Sequence, residues 1–238
     1  GGPALPSWIE LAVSQAGFAL FKTGGSDHRV GSSVSDLEDF NGDGNSDIAI
    51  SSMRFGDSAN PDSGRAWIIF GGSTPGGVTD LNALADAGLS GVTIHNPGAN
   101  DEVGQSVSCA GDADADGDTE LLVTRSLDDH DPETIATVAY LVRGSSNPDE
   151  MIGLAQSHPM VTRYDTFFDN EEEGQSAHGT YDVTGDGVDD HILGIPRSVL
   201  LEVEKGIAHR VDGGQNLGDS QLLDLFQHNG RGYLGLGQ

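Results

Sequence analysis

The sequence predicts an all-β chain of propeller-like blades, each made of four short antiparallel strands. A nine-residue loop rich in Asp and Gly occurs three times, with spacings of 73 and 70 residues, and apolar runs stand at fixed distances from every loop. These runs have the length of strands, and turns of Gly, Asp, Asn and Pro separate them. Since one four-stranded unit cannot bury both of its faces, we expect such units to stack as blades.

Three repeats and one further strand account for most of the chain. The repeats cover approximately residues 17–90, 91–159 and 160–236, within a single region over residues 1–238. Each repeat opens with a short strand that precedes its loop, and a fourth copy of this strand stands at residues 232–236. Because three blades are too few to close a ring, the sequence predicts a partial propeller or an open array.

The loops carry oxygen atoms at the spacing that a calcium ion needs. In the second loop, positions 1, 3 and 5 are Asp112, Asp114 and Asp116, and the other loops carry oxygen side chains at the same positions. Glycine at position 6 permits a positive φ that folds the loop over the ion. Position 7 offers a backbone carbonyl, and position 9 adds a closing carboxylate. Since Ca²⁺ takes six to eight oxygen ligands, we expect one ion in each loop, about three in all.

Other metal sites fit the pattern less well. An EF-hand carries Glu at position 12 between two helices, whereas position 12 here is Ile50, Val123 or Leu193 and every loop enters a strand. An all-oxygen donor set disfavours zinc and copper. The third loop has the weakest donors, with Thr184 at position 3 and Val188 at position 7. We therefore expect calcium affinity to fall from the second loop to the first and then to the third.

A wider pattern surrounds each loop. Gly-Gln-Ser-Val at residues 104–107 precedes the loop that begins at Asp112. Residues 64–70 read Gly-Arg-Ala-Trp-Ile-Ile-Phe, and Gly-Ile-Pro stands at residues 194–196. Together these features resemble the FG-GAP repeat of integrin-α-type β-propellers over approximately residues 17–236. Residues 51–53 and 124–126, which stand at the corresponding places in the first two repeats, depart from the family pattern. Many secreted and surface proteins of bacteria are similar.

The resemblance implies a ligand set and a role for it. In that family the loops join the two inner strands of a blade, and calcium ions rigidify one rim of a ring that commonly has seven blades. The implied ligands are Asp39, Asn41, Asp43, Asn45 and Asp47; Asp112, Asp114, Asp116, Asp118 and Glu120; and Asp182, Thr184, Asp186, Val188 and Asp190.

Composition limits the function further. The chain has 11 Lys and Arg against 38 Asp and Glu, a net charge of −27, so nucleic acid is excluded as a partner. Cys109 is the single cysteine, so no intrachain disulfide can form. The sequence contains no nucleophile-elbow, P-loop, zinc-protease or dinucleotide fingerprint. His178 and His191 stand beside the third loop without a second metal ligand at helical or strand spacing, so we expect them to be packed or solvated.

These observations predict a non-catalytic, calcium-stabilised module outside the cell, secreted or at the cell surface, for adhesion, binding or surface structure. The expected partners are a protein or glycan ligand, or copies of the chain itself, because its terminal strands leave open sheet edges. The alternative is an accessory propeller domain of a secreted hydrolase or lyase. In that case carboxylates outside the loops, such as Glu133, Asp165 and Glu202, would do acid–base work. The fold alone does not identify the ligand.

Overall fold

The computed structural model describes residues 18–21, 29–72, 77–96, 98–125, 135–155, 157–167, 176–200, 203–214 and 220–222. In these residues the regular structure is β-strand, apart from one 3₁₀ turn at Leu84–Ala87. The described part of the chain contains no helix long and apolar enough to span a membrane. The strands are β1 Phe18–Phe21, β2 Val34–Leu37, β3 Asp47–Ser52, β4 Arg65–Ile69, β5 Gly77–Asp80, β6 Gly91–His95, β7 Val107–Gly111, β8 Glu120–Thr124, β9 Ile135–Val142, β10 Met151–Gly153, β11 Val161–Phe167, β12 Ser176–Tyr181, β13 Asp190–Leu200, β14 Val203–Val211 and β15 Ser220–Leu222.

The strands form sheets that repeat one order. The first sheet runs β10-β6-β4-β3-β2 and the second runs β15-β11-β9-β8-β7. The inner four strands of each sheet are antiparallel, and the outermost strand, β10 or β15, pairs in parallel. A third sheet contains β12-β13-β14, and β1 pairs in parallel with β5. The predicted all-β class with four antiparallel strands per blade is confirmed for the first two sheets, and the fifth, parallel strand is an addition.

Each Asp-rich loop joins the two innermost strands of a sheet: β2 to β3, β7 to β8, and β12 to β13. The strand that opens a sequence repeat pairs with the sheet of the repeat before it, so β6 belongs to the first sheet and β11 to the second. The boundaries of the sheets therefore differ from those of the sequence repeats, because each of the first two sheets includes the strand that opens the next repeat. The strand predicted at residues 232–236 lies outside the described residues.

Apolar side chains from neighbouring sheets pack against each other. Ala49 and Ile68 of the first sheet share one buried cluster with Leu121, Val123 and Tyr140 of the second. Alternate residues of a strand point to opposite faces, and the other face of the first sheet carries a second cluster. In it, residues Ile50, Trp67 and Ile69 pack against leucines of the 81–89 segment: Leu81, Leu84 and Leu89. Burial on both faces holds the sheet in a stack, at roughly 25 cal/mol for each Å² of apolar surface removed from water.

Candidate metal centres

The three loops share one internal hydrogen-bond scaffold. The carboxylate at position 1 accepts a hydrogen bond from the backbone N–H of position 5, and the carboxylate at position 5 accepts one from the N–H of position 7. The first bond measures 3.0 Å between Asp43 N and Asp39 Oδ1, 3.0 Å between Asp116 N and Asp112 Oδ1, and 3.1 Å between Asp186 N and Asp182 Oδ1. The second measures 2.8, 2.9 and 3.0 Å in the same order. Short-range side-chain bonds to the backbone of this kind fix turns.

The carboxylate at position 9 fastens each loop to the third strand of its sheet. Asp47, Glu120 and Asp190 are buried. One oxygen of each accepts a hydrogen bond from the N–H of loop position 2, and the other accepts one from a glycine after the third strand: Gly71, Gly144 or Gly213. The sequence pattern predicted only a ligand role for position 9. The glycines were visible in the sequence, but nothing in it indicated that their N–H groups meet this carboxylate.

Two positions of the loop have a left-handed backbone. Glycine at position 6 has φ of +85°, +99° and +93° in the three loops, as the sequence predicted. Position 4 has φ of +67° at Gly42, +62° at Ala115 and +80° at Gly185. Ala115 is therefore a non-glycine residue in a conformation that glycine adopts more readily.

The second loop brings its first three predicted ligands together. One carboxylate oxygen from each of Asp112, Asp114 and Asp116 lies within 4.8 Å of the others. Asp114 Oδ1 is buried and has no hydrogen-bond partner among the described residues. Asp114 Oδ2 lies 3.2 Å from Arg143 Nε. A buried carboxylate oxygen without a partner, on a side chain grouped with two further carboxylates, fits a hard cation that takes only oxygen ligands.

The pKa shifts in the second loop also favour a bound cation. Burial, and then the charge of Asp116, raise the pKa of Asp114. Burial and the charge of Asp114 raise the pKa of Glu120 to about 8. Burial and the charge of Asp116 also raise the pKa of Asp118. Each shift reports a carboxylate whose charged form lacks enough compensation, and a divalent cation is one way to supply it.

The first and third loops each compensate one exposed carboxylate internally, although burial raises the pKa of Asp47 in the first loop. The pKa of Asp43 is lowered, chiefly by a hydrogen bond from the side-chain amide of Asn45. The pKa of Asp182 is lowered, chiefly by the N–H of Gly187. That carboxylate also accepts hydrogen bonds from the N–H groups of Gly185 and Asp186. These loops hold oxygen donors at the predicted positions, but hydrogen bonds inside the loop occupy several of those oxygens.

The remaining predicted ligands occupy less central places. The side chains at position 7 are directed to neighbours: Asp118 Oδ1 lies beside Gly42 of the first loop, and Val188 lies beside Gly213. Asn41 donates a hydrogen bond to Asp43, and Thr184 donates one to Asp182. The assignment of these residues as calcium ligands stays a prediction.

Neighbouring loops are joined through their backbones. The carbonyl of position 1 accepts a hydrogen bond from position 8 of the next loop, and the carbonyl of position 2 accepts one from the residue after the third-strand glycine of the next sheet. The four bonds are Thr119 N to Asp39 O at 3.2 Å, Asp189 N to Asp112 O at 3.2 Å, Ser145 N to Phe40 O at 2.9 Å and Gly214 N to Ala113 O at 2.8 Å. Each loop that has a following repeat is therefore clamped by it.

The two histidines near the third loop make side-chain hydrogen bonds. His191 is buried with its Nε2 2.7 Å from Tyr164 Oη, and burial lowers the pKa of His191 to about 4. His178 Nδ1 lies 3.2 Å from Ser108 Oγ. His191 thus packs in the core, as one of the two sequence-based readings expected.

This architecture defines a class: antiparallel sheets stacked face to face, each with an acidic loop between its innermost strands. Within it, residues 30–69 match the family model of the FG-GAP repeat. The matched segment contains β2, the first loop, β3 and β4, so the predicted resemblance is confirmed for the first repeat. The second and third repeats are linked to it by their shared loop pattern and sheet order. No curated protein matches the chain.

Proposed function

We propose that this chain is a calcium-stabilised extracellular module for adhesion, binding or surface structure, and not an enzyme. The observation that carries the proposal is the second loop. Three of its carboxylates converge there, and a buried oxygen of Asp114 has no protein partner in the described part of the chain. A bound calcium ion would supply the missing positive charge and coordination.

The residues that would hold the ion are those at positions 1, 3 and 5, with the backbone carbonyl of position 7. Asp112, Asp114 and Asp116 already converge in the second loop. Glu120 lies beneath them, fastened to the backbone. Binding only to the folded state stabilises a protein by about 2.7 kcal/mol at a hundredfold excess over the dissociation constant. Three sites would thus contribute a large part of the about 5–15 kcal/mol typical of a domain.

The negative charge of the chain supports an extracellular location. A net charge of −27 opposes the compact state unless cations offset it. Extracellular calcium-binding modules can work with dissociation constants of about 10⁻⁴–10⁻³ M, because the ion is abundant there. The FG-GAP match at residues 30–69 supports the same assignment, because that repeat occurs in adhesion and binding modules.

A thermal melt tests the proposal. The melting temperature is measured with about 2 mM calcium and then with excess chelator. The ionic strength is kept fixed so that charge screening is not mistaken for site binding. One occupied site is expected to raise the melting temperature by about 5–10 °C. Asp114→Asn should remove much of this shift. The matched control is Asp149→Asn, which changes an exposed aspartate paired with His158. A shift of less than about 2 °C, or equal shifts in both variants, would refute calcium stabilisation.

The rival function is an accessory domain of a secreted hydrolase or lyase. Of its candidate carboxylates, Glu133 and Glu202 and the side chain of Asp165 lie outside the described residues. A cavity of about 410 Å³ between the first two sheets has Asp101 on its wall, and Arg125 and Asn96 already bind that carboxylate. A glycosidase needs a pair of free carboxyl groups. Turnover of polysaccharide or phospholipid substrates by the purified chain would favour the rival.

A further inference from the structure

A mostly buried arginine lies beside the second loop. Arg143 follows the last residue of β9 and precedes Gly144, whose N–H donates to Glu120 at loop position 9. The side chain of Arg143 is 18% exposed and that of Asp114 is 12% exposed, and Arg143 Nε lies 3.2 Å from Asp114 Oδ2. Charged side chains are rarely buried unless they are paired, so this contact indicates a specific role for the pair.

Arg143 is held in place by the segment that leads into β11. Its backbone N–H donates a hydrogen bond to the carbonyl of Met160 at 2.8 Å. Its Nη1 donates to the carbonyl of Pro159 at 3.1 Å, and its Nη2 donates to Thr162 Oγ1 at 2.6 Å. Because the guanidinium is rigid and planar, bonds at Nη1 and Nη2 also fix the direction of Nε. Arg143 therefore reaches Asp114 from a fixed support on another strand.

The residue before the third-strand glycine differs between the repeats. It is Phe70 in the first repeat, Arg143 in the second and Asp212 in the third. Phe70 packs against the apolar cluster shared by the first two sheets, and Asp212 Oδ1 accepts a hydrogen bond from Arg210 Nε. Neither phenylalanine nor aspartate can bring a positive charge to its loop, so the arginine at this place is particular to the second repeat.

The residue at loop position 3 differs between the repeats as well. Asn41 and Thr184 donate hydrogen bonds to carboxylates of their own loops. Ionised Asp114 has no side-chain proton to donate, and the two carboxylates grouped with it repel its charge. Asp114 is therefore stabilised by a donor from another element, and Arg143 supplies one. Arginine stands before the third-strand glycine in the one repeat that has aspartate at position 3.

Arg143 does not take the place of a metal ion. Burial, and then the charge of Asp116, raise the pKa of Asp114 more than the charge of Arg143 lowers it. The arginine contacts Oδ2 of Asp114, while Oδ1 is buried and has no hydrogen-bond partner in the described part of the chain. One oxygen of Asp114 is thus held by the protein, and the other is left for a ligand.

We infer that Arg143 is a positioning residue of the second calcium site, which holds Asp114 by Oδ2 and leaves Oδ1 for the ion. This inference rests on the proposed calcium binding and adds a residue from outside the loops. Groups that orient metal ligands typically contribute about 10–100-fold in metal affinity. The positive charge of Arg143 by itself opposes a cation, so the direction of the change in affinity distinguishes positioning from simple repulsion.

Calorimetric titration of the second loop tests the inference. Every chain carries Asp43→Ala and Asp186→Ala, so that the titration reports the second loop. Arg143→Met should weaken calcium binding about tenfold, because Asp114 is then no longer held. The matched control is Arg54→Met. It removes an arginine whose Nε lies 3.9 Å from Glu102 Oε1, away from the loops, and it should leave the affinity unchanged.

A double variant separates positioning from a general effect on the fold. Asp114→Asn keeps an oxygen donor at position 3 but loses the charge-assisted contact with Arg143. In this background Arg143→Met should not weaken calcium binding further. An equal loss with and without Asp114 would overturn the inference, because a merely structural arginine would act in both backgrounds. Unchanged or tighter binding in Arg143→Met alone would overturn it too, since the charge would then only oppose the ion.

Two milder variants decide the question if Arg143→Met does not fold. Thr162→Val removes the bond to Nη2 and should weaken calcium binding about two- to fivefold, and Asp114→Asn should abolish this difference. Arg143→Lys keeps the charge but not the planar fork, so it should also bind more weakly. The original affinity in both variants would overturn the inference.

Failure of this inference can be told apart from failure of the calcium proposal. A second loop that binds no calcium in the otherwise unmodified chain would refute both. Calcium binding that Asp114→Asn weakens and Arg143→Met leaves unchanged would refute the positioning role alone.

Discussion

The second and third loops have nearly the same sequence pattern and very different surroundings. In the second loop, Ala113 is covered by the next repeat, and the pKa values of Asp114 and Glu120 are raised, first by burial. In the third loop, Val183 is exposed, and the pKa of Asp182 is lowered by hydrogen bonds from its own loop. The covered second loop therefore holds carboxylates that need a cation, whereas the exposed third loop satisfies Asp182 with its own backbone.

The largest expected effect separates the two loops directly. Asp116→Ala should remove the tightest calcium site and about 2–3 kcal/mol of calcium-dependent stability, because it deletes one of three converging carboxylates. Asp186→Ala should remove the weakest site, and Asp43→Ala one of intermediate affinity. Calorimetric titration of the three variants gives the ranking. If Asp186→Ala removed the tightest site, the comparison between the loops would be wrong.

The next effect tests the clamp between repeats. A Cβ at Gly144 would lie 2.7 Å from the carbonyl oxygen of Phe40 and 2.6 Å from that of Thr119. Gly144→Ala should therefore cost about 1–3 kcal/mol, because the backbone must move to relieve the contact. In the control, Gly153→Ala, the nearest atoms belong to His95 at 3.6 Å, so stability should stay nearly unchanged. Urea unfolding with calcium compares them, and equal midpoints would mean that the clamp adds no rigidity.

A pH effect follows from the buried carboxylate of Glu120 in the second loop. In the calcium-free chain the folded-state pKa of Glu120 is about 8, against 4.5 for a solvent-exposed glutamate. The folded state then holds a proton that the unfolded state releases, so the contribution of Glu120 to stability should fall as pH rises from about 5 to 8, and the net stability should fall mainly above about pH 6.5. Each unit of pKa difference corresponds to about 1.4 kcal/mol. Melting with chelator across this range measures the slope, and Glu120→Gln should flatten it.

His191 acts in the opposite direction at lower pH. Burial lowers its pKa to about 4 in the folded state, against 6.5 for a solvent-exposed histidine. Its contribution is present above about pH 6.5 and is lost as pH falls towards 4. The calcium-free chain should thus be most stable at an intermediate pH. Stability that rises steadily up to pH 8 in chelator would contradict the buried, uncompensated state of Glu120.

The smallest effect concerns position 4. Ala115 has φ of +62°, where the other two loops have glycine. An L-residue in this region costs about 1–2 kcal/mol, partly offset by the greater freedom of glycine in the unfolded chain. Ala115→Gly should therefore stabilise the chain by up to about 1 kcal/mol, and Gly185→Ala should destabilise it by a similar amount. Chemical denaturation measures both. A loss of stability in Ala115→Gly would show that the second loop needs its alanine side chain.

Repetition explains how much of this molecule could be predicted from its sequence. The loops, the strands beside them and the glycine at position 6 were predictable because each occurs three times at a fixed spacing. The contact of Arg143 with Asp114 was not, since it joins residues on different elements and occurs in one repeat. The different burial of Ala113 and Val183 depends on what lies beside the loop, which no local pattern records.

The short parallel strands escaped prediction for another reason. β10 and β15 are three residues long, below the length at which alternation of apolar and polar residues is readable. The position-9 carboxylates were recognised as acidic, but their bonds to Gly71, Gly144 and Gly213 depend on the approach of two strands. The sequence therefore predicted a set of donor residues, which stays a prediction, and the scaffold that positions them was missed.

The strand order has a consequence for how the chain is made. The first sheet begins at Val34, but its outermost strand is Met151–Gly153. During synthesis that sheet remains unfinished until residue 153 has left the ribosome, and by then most of the second sheet has already emerged. A protease cut or a stop codon between the two loops would remove a finishing strand from the sheet behind it. The segments that form the first and second sheets therefore overlap in the sequence, so a cut between the two loops cannot separate two complete sheets.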